Sequence, residues 1–204
     1  MFDTRTPLYR VAREGVPISE FRPLTLGDYC PSGGTPLRDA TARMIGYLDS
    51  LRANDRVTIG LLLDESGSMG GNEQSVIEGV NQFVDGMRAA VDPEAAGKVL
   101  AVVVTDGYEN SSSEVDQATL AKMVAEREAD GWTFIFLGAN IDAWAQGQAM
   151  GFSVTGQSVN YVSTPVWVYP IIPVLPYPCS QPVRPILSTV GTAISQAREA
   201  ISSR

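Results

Sequence analysis

Three runs of apolar residues divide the chain, at 57–63, 99–104 and 132–137, with a weaker fourth at 158–162. The first three are continuous rather than alternating, which is the pattern of strands covered on both faces. Between them apolar positions recur at helical spacing. Leu37, Thr41, Met44, Leu48 and Leu51 mark one helix; Val76, Val80, Phe83, Val84 and Met87 mark a second; Leu120, Met123 and Val124 mark a third. A short helix is predicted over 139–150 and a weakly amphipathic one over 191–204.

Local signals set the boundaries. Pro36 suits a first helical turn, with Thr35 at the capping position before it. Asp92-Pro93 ends the second helix. Ser111 and Glu114 stand at capping-box spacing ahead of the third, and Gly131 closes it. Apolar strands alternating with amphipathic helices predict an α/β fold: a three-layer, Rossmann-like sandwich whose mainly parallel sheet carries helices on both faces. The stretches 6–12 and 16–21 are too short and proline-dotted for central strands, so an edge hairpin, and with it an antiparallel edge strand, is predicted there. The domain spans 1–164. A Pro-rich extended segment follows over 165–190, and a helix over 191–204 packs back on the same domain.

Composition narrows the function. A chain of 204 residues, 44% hydrophobic, can bury a sizeable core. Its net charge of -8 and lack of basic runs argue against a nucleic-acid binder. It contains no histidine, which removes Ser-His-Asp triads, Cys-His dyads and His-ligated zinc. The two cysteines, Cys30 and Cys179, are expected as thiols in a reducing compartment. Met1 is followed by Asp3, Arg5 and Pro7 with no apolar leader, and the uncharged stretch 167–183 is broken by five prolines (Pro170, Pro173, Pro176, Pro178 and Pro182). A cytoplasmic, non-membrane protein is expected. The Pro-rich piece also carries Trp167, Tyr169 and Tyr177; an extended segment over the domain and a docking peptide for a partner groove are both open readings.

The chemistry gathers where the strands end. Loops leaving the carboxyl ends of parallel strands share one edge, and ligands bind there. After Leu63 comes Asp64-Glu-Ser66-Gly-Ser68, and after Val104 comes Thr105-Asp106-Gly107. Two carboxylates and several hydroxyls are hard oxygen donors, suited to Mg²⁺, Mn²⁺ or Ca²⁺ rather than zinc.

Asp64-x-Ser66-x-Ser68 behind a buried strand resembles the metal-ion-dependent adhesion site of von Willebrand A (vWA) domains. Gly33-Gly-Thr35-Pro-Leu resembles that family's threonine element, and Thr105-Asp106-Gly107 resembles its third. The resemblance covers about residues 1–162. It implies a vWA-like fold with Mg²⁺ (or Mn²⁺ or Ca²⁺) at the rim. Ser66 and Ser68 would bind the ion directly, Thr35 directly or through water, and Asp64 and Asp106 through coordinating waters or by approaching it. The open position would accept an Asp or Glu from a protein partner, which makes the chain a metal-dependent binding module and not an enzyme.

The order of the elements departs from the family. There the Asp-Ser-Ser strand precedes the Thr loop, which precedes the Asp-Gly strand. Here the Thr loop comes first, and 57–90 sits between it and the third element, as in a permuted or transposed chain. In the family an apolar strand normally leads into the segment resembling Phe2-Asp3-Thr4-Arg5, so one sheet strand is expected to be shortened or lost. Such a permutation keeps the site if the crossovers stay right-handed and the loops still meet. Two alternatives follow: a rearranged or engineered vWA scaffold without retained binding, and a Mg²⁺-dependent phosphohydrolase with Asp64 as nucleophile. Ser66 stands where such phosphatases carry a second acid, and the two lysines, Lys98 and Lys122, lie outside the rim loops.

Overall fold

The structure, a computed structural model, describes residues 1, 13–89, 96–139, 143–152, 158–161, 194, 195 and 198. Helix α1 spans Leu37–Leu51, β1 Thr58–Leu63, α2 Glu73–Arg88, β2 Val99–Thr105, α3 Gln117–Ala129, β3 Trp132–Ala139, α4 Ala143–Ala149 and β4 Ser158–Tyr161. The four strands form one sheet in the order β1-β2-β3-β4, and every pairing is parallel.

The continuous apolar runs become strands because both faces of the sheet are covered. Leu63, Leu100, Val102, Val104, Ile135 and Leu137 pack against α2 through Val76, Val80, Phe83, Val84 and Met87. The alternate positions Leu62, Val99, Ala101, Val103, Phe134 and Phe136 pack against α1 and α3, with Phe152 stacked on Phe134 at 5.2 Å. The fold is therefore α/β with helices on both faces of a parallel sheet.

Several local expectations are corrected. Among the described residues the sheet has no antiparallel strand, and 16–21 holds a 3-10 turn, Ile18–Glu20, rather than a hairpin arm; the other arm lies outside the described residues. Helix α2 ends at Arg88, short of Asp92-Pro93. Helix α3 starts at Gln117 and is capped by Asp116, whose carboxylate accepts the Thr119 N–H at 2.7 Å, so Ser111 and Glu114 form no capping box. Gly131, at φ +84°, does close α3, donating its N–H to Glu128 O at 3.0 Å. The Pro-rich piece lies outside the described residues. Of 191–204 only three residues are described, with Ile194 against the apolar core beside Gly86.

The topology contains one uncommon connection. The steps β1 to β2 and β2 to β3 run in the same direction across the sheet. Their connecting helices, α2 and α3, lie on opposite faces. Two such parallel connections have opposite hands, so one is a left-handed crossover, a class that makes up about 2% of known cases. Not every crossover is therefore right-handed, yet the strand ends still share one rim. Among the described residues β1 is paired only on its β2 side. Its outer edge faces an apolar groove of about 760 Å³ between α1 and α2.

Candidate metal centre

Register brings the first two site loops together. Leu63 pairs with Val104, and the Asp64 N–H donates to Val104 O at 2.9 Å. Asp64 and Thr105 therefore leave adjacent strands side by side. Asp64 is fully buried. Its Oδ1 accepts the Ser66 N–H at 2.7 Å, and its Oδ2 accepts the Thr105 hydroxyl at 2.5 Å. The hydroxyls of Ser66 and Ser68 lie 3.0 Å apart, and Ser68 Oγ donates to Asp106 Oδ1 at 2.6 Å. One hydrogen-bonded chain thus joins Asp64, Ser66, Ser68 and Asp106.

The third loop arrives through backbone bonds. The Ser32 N–H donates to Glu65 O at 2.6 Å, and the Gly67 N–H donates to Gly33 O at 2.9 Å. Asn110 grips Thr35 from the opposite side. The Thr35 N–H donates to Asn110 Oδ1 at 2.9 Å, and the Asn110 N–H donates to Thr35 O at 3.2 Å. Thr35 is 2% exposed, and its hydroxyl lies against Gly107, where an added Cβ would come within 2.8 Å of Thr35 Oγ1 and 3.6 Å of Ser68 Oγ. All five predicted residues, Thr35, Asp64, Ser66, Ser68 and Asp106, converge on this rim.

Thr35 has the place but not the cap role expected for it. The α1 N-cap is Pro36, with no side-chain cap bond. Helix α1 is capped across the fold instead: the Arg38 N–H donates to Glu109 Oε2 at 2.7 Å and the Asp39 N–H to Ser112 Oγ at 3.1 Å. Asp39 returns the bonding, accepting the N–H groups of Ser113 and Val115 at 2.8 Å each. Because the distant loop caps α1, the Thr35 hydroxyl is released to the rim. Glu109 and Glu65 are correspondingly not solvated loop acids. Glu65 is 1% exposed and accepts the Cys30 N–H at 2.9 Å. Asp39, and the bonding roles of Thr105 and Glu109, are what the sequence reading did not find. Their partners lie up to 76 positions away in the chain, beyond any local spacing rule.

The electrostatics suit a cation. Burial pushes the Asp64 carboxyl up to about 6, against the hydrogen bonds from Thr105 and Ser66 that favour its charge; the Asp106 charge adds to the rise. Asp106 is raised as well, chiefly by burial. Among the described residues neither acid has an ion-pair partner. Two carboxylates, three hydroxyls and a Cβ-free cradle at Gly107 form an all-oxygen donor set without a compensating positive charge, which fits a hard divalent ion. The described residues hold no group of three or more His, Cys, Asp or Glu side chains that could hold a metal ion, so an ion here would draw its remaining donors from hydroxyls.

Compared with known protein families, curated proteins and solved structures, the chain has no match in any of the three. Among the described residues no helix is long and apolar enough to cross a membrane.

Proposed function

We propose that the chain is a rearranged vWA-type binding module. It holds Mg²⁺ (or Mn²⁺ or Ca²⁺) with Ser66, Ser68 and Thr35, backed by Asp64 and Asp106, and uses the ion to bind an acidic group of a protein partner. The observation that carries this reading is the convergence of the Thr35 loop, which precedes β1, with the loops that follow β1 and β2. Residues that serve only as turn and cap formers have no reason to meet. The left-handed crossover supports the rearranged order. A segment moved within a chain keeps its helix on the face it covered before, and the new connection takes whatever hand that demands.

The ion would supply positive charge and an open coordination position. The chain's residues do the rest. Asp64, fully buried, and Asp106, half-buried, would provide negative charge. The serine and threonine hydroxyls would offer lone pairs without adding charge, leaving the ion electrophilic enough to take an outside carboxylate. Few charged direct ligands suit binding of an outside carboxylate.

The test is calorimetric titration of Mg²⁺ and Mn²⁺ into metal-free protein, beside Asp64→Ala and Asp106→Ala. One-site binding in the parent, lost in both variants, supports the reading. No binding by a folded parent reduces the resemblance to ancestry, leaving a scaffold with a vestigial site.

A further inference from the structure

The mouth of the metal centre is bordered by exposed Gly33, Gly67, Ser68 and Tyr108. Tyr108 is 55% exposed; the other large apolar side chains so exposed among the described residues, Val16 and Leu26, belong to the N-terminal loops. Tyr108 directly follows Gly107, whose backbone lies against Thr35 Oγ1 and Ser68 Oγ. Its loop is held on both sides. The Gly107 N–H donates to Thr105 Oγ1 at 3.0 Å, Asn110 exchanges two bonds with Thr35, and Glu109 accepts the N–H groups of Ser111 and Ser112 at 2.9 and 2.7 Å. An aromatic ring is thus exposed on backbone that needs little further ordering on binding, the property of rigid interface anchors.

The charge around the mouth limits what binds beside the ion. Residues 29–35, 64–71 and 105–113 contain no Lys or Arg. Asp106 is already at the mouth. A second acid on a partner would meet no Lys or Arg from these three loops and would face Asp106.

We propose that Tyr108 is a specificity-determining contact that receives an apolar group next to the carboxylate bound at the ion. The partner then presents an Asp or Glu beside an aromatic or aliphatic side chain, not an acidic tract. This rests on the metal-binding reading above.

Mn²⁺-loaded full chain provides the test, with propionate and 3-phenylpropionate as probes and the fall in water-proton relaxation as the readout of water displaced from the ion. The parent should bind 3-phenylpropionate about three- to ten-fold more tightly than propionate, the range of an aromatic contact. Tyr108→Ala should bring that ratio to about one with Mn²⁺ affinity unchanged, and Tyr108→Phe should keep it. Equal binding of the two probes by the parent, or an unchanged ratio in Tyr108→Ala, overturns the proposal. Failure of Mn²⁺ to bind overturns it together with the metal reading, and shows before any carboxylate is added, so the two failures are distinct.

Discussion

The Thr105 hydroxyl donates to Asp64 Oδ2 at 2.5 Å while accepting the Gly107 N–H at 3.0 Å, so one buried side chain ties the ends of β1 and β2 together. A hydroxyl has one proton, and the carboxylate takes it in preference to Gly107 O at 3.2 Å. Thr105→Val keeps the shape and removes the donor. It is expected to destabilise the chain by about 1–3 kcal/mol, the cost of an unsatisfied buried acceptor, and to weaken Mg²⁺ binding. Thr105→Ser should recover most of both. Urea unfolding and calorimetry on the three proteins check this; a Thr105→Val as stable as the parent would show that the bond contributes nothing net.

The raised Asp64 carboxyl predicts a pH dependence of definite sign. Its ordinary value is 3.8 and its folded value about 6. Between the two the native state holds more protons than the unfolded state, so this group's contribution to metal-free stability falls as pH rises through that window. Above it the cost reaches about 3 kcal/mol. Mg²⁺ competes with the proton, so its affinity should drop by up to about tenfold per pH unit below 6. Unfolding at pH 5 and pH 7, with and without Mg²⁺, tests both. Asp106 is raised too, so it contributes with the same sign, whereas Asp28, Asp55 and Asp116 are held below the ordinary range by the backbone N–H of Thr25, the Arg56 side chain and the backbone N–H of Thr119 respectively. Stabilisation by Mg²⁺ that is larger at pH 5 than at pH 7 would contradict the assignment.

Gly107→Ala places a methyl group 2.8 Å from Thr35 Oγ1. The Thr35 hydroxyl must move to admit it, at a strain cost of about 1–3 kcal/mol. The expected result is a folded protein with unchanged far-ultraviolet circular dichroism and at least tenfold weaker Mn²⁺ binding. Parent-like affinity would mean that Thr35 is not needed at the ion.

Asp39 is 1% exposed, and its carboxylate accepts three successive backbone N–H groups, those of Ser113, Glu114 and Val115. Asp39→Ala leaves those donors without their partner and is expected to cost about 3 kcal/mol or more. Hydrogen exchange at 113–115 should accelerate, and metal affinity should fall although none of these Asp39 hydrogen bonds reaches the five site residues. Unchanged protection at those amides would rule out this role for Asp39.

Much of the framework was legible because its cause is local. Continuous apolar runs at 57–63 and 99–104 meet the demand of strands covered on both faces, and β1 and β2 fall within a residue of those limits. Gly131 takes the left-handed φ that ends α3. The cap assignments failed for a nonlocal reason. Thr35 and Ser111 are good capping residues in isolation, but Glu109 and Ser112 reach the α1 amides first, and Asp116 lies nearer the true start of α3. The 16–21 segment misled in a similar way: its apolar positions suggest a strand, yet Pro17 starts a 3-10 turn whose Glu20 N–H returns to Pro17 O at 2.8 Å.

The chain's linear order determined which residue types stand at the strand ends: carboxylate and hydroxyls after β1, Thr-Asp-Gly after β2, glycines before Thr35. Side-chain chemistry and strand burial act over a few positions, so this much can be read along one dimension. Whether the three loops meet was decided only in three dimensions. The parallel register of β1 on β2 sets Asp64 beside Thr105, and the cross-fold caps free Thr35 and seat it against Gly107. One crossover adopts the uncommon hand while the rim remains intact. A site of this kind needs its donors adjacent in space, and the packing of helices on a sheet, not their order along the chain, brings them there.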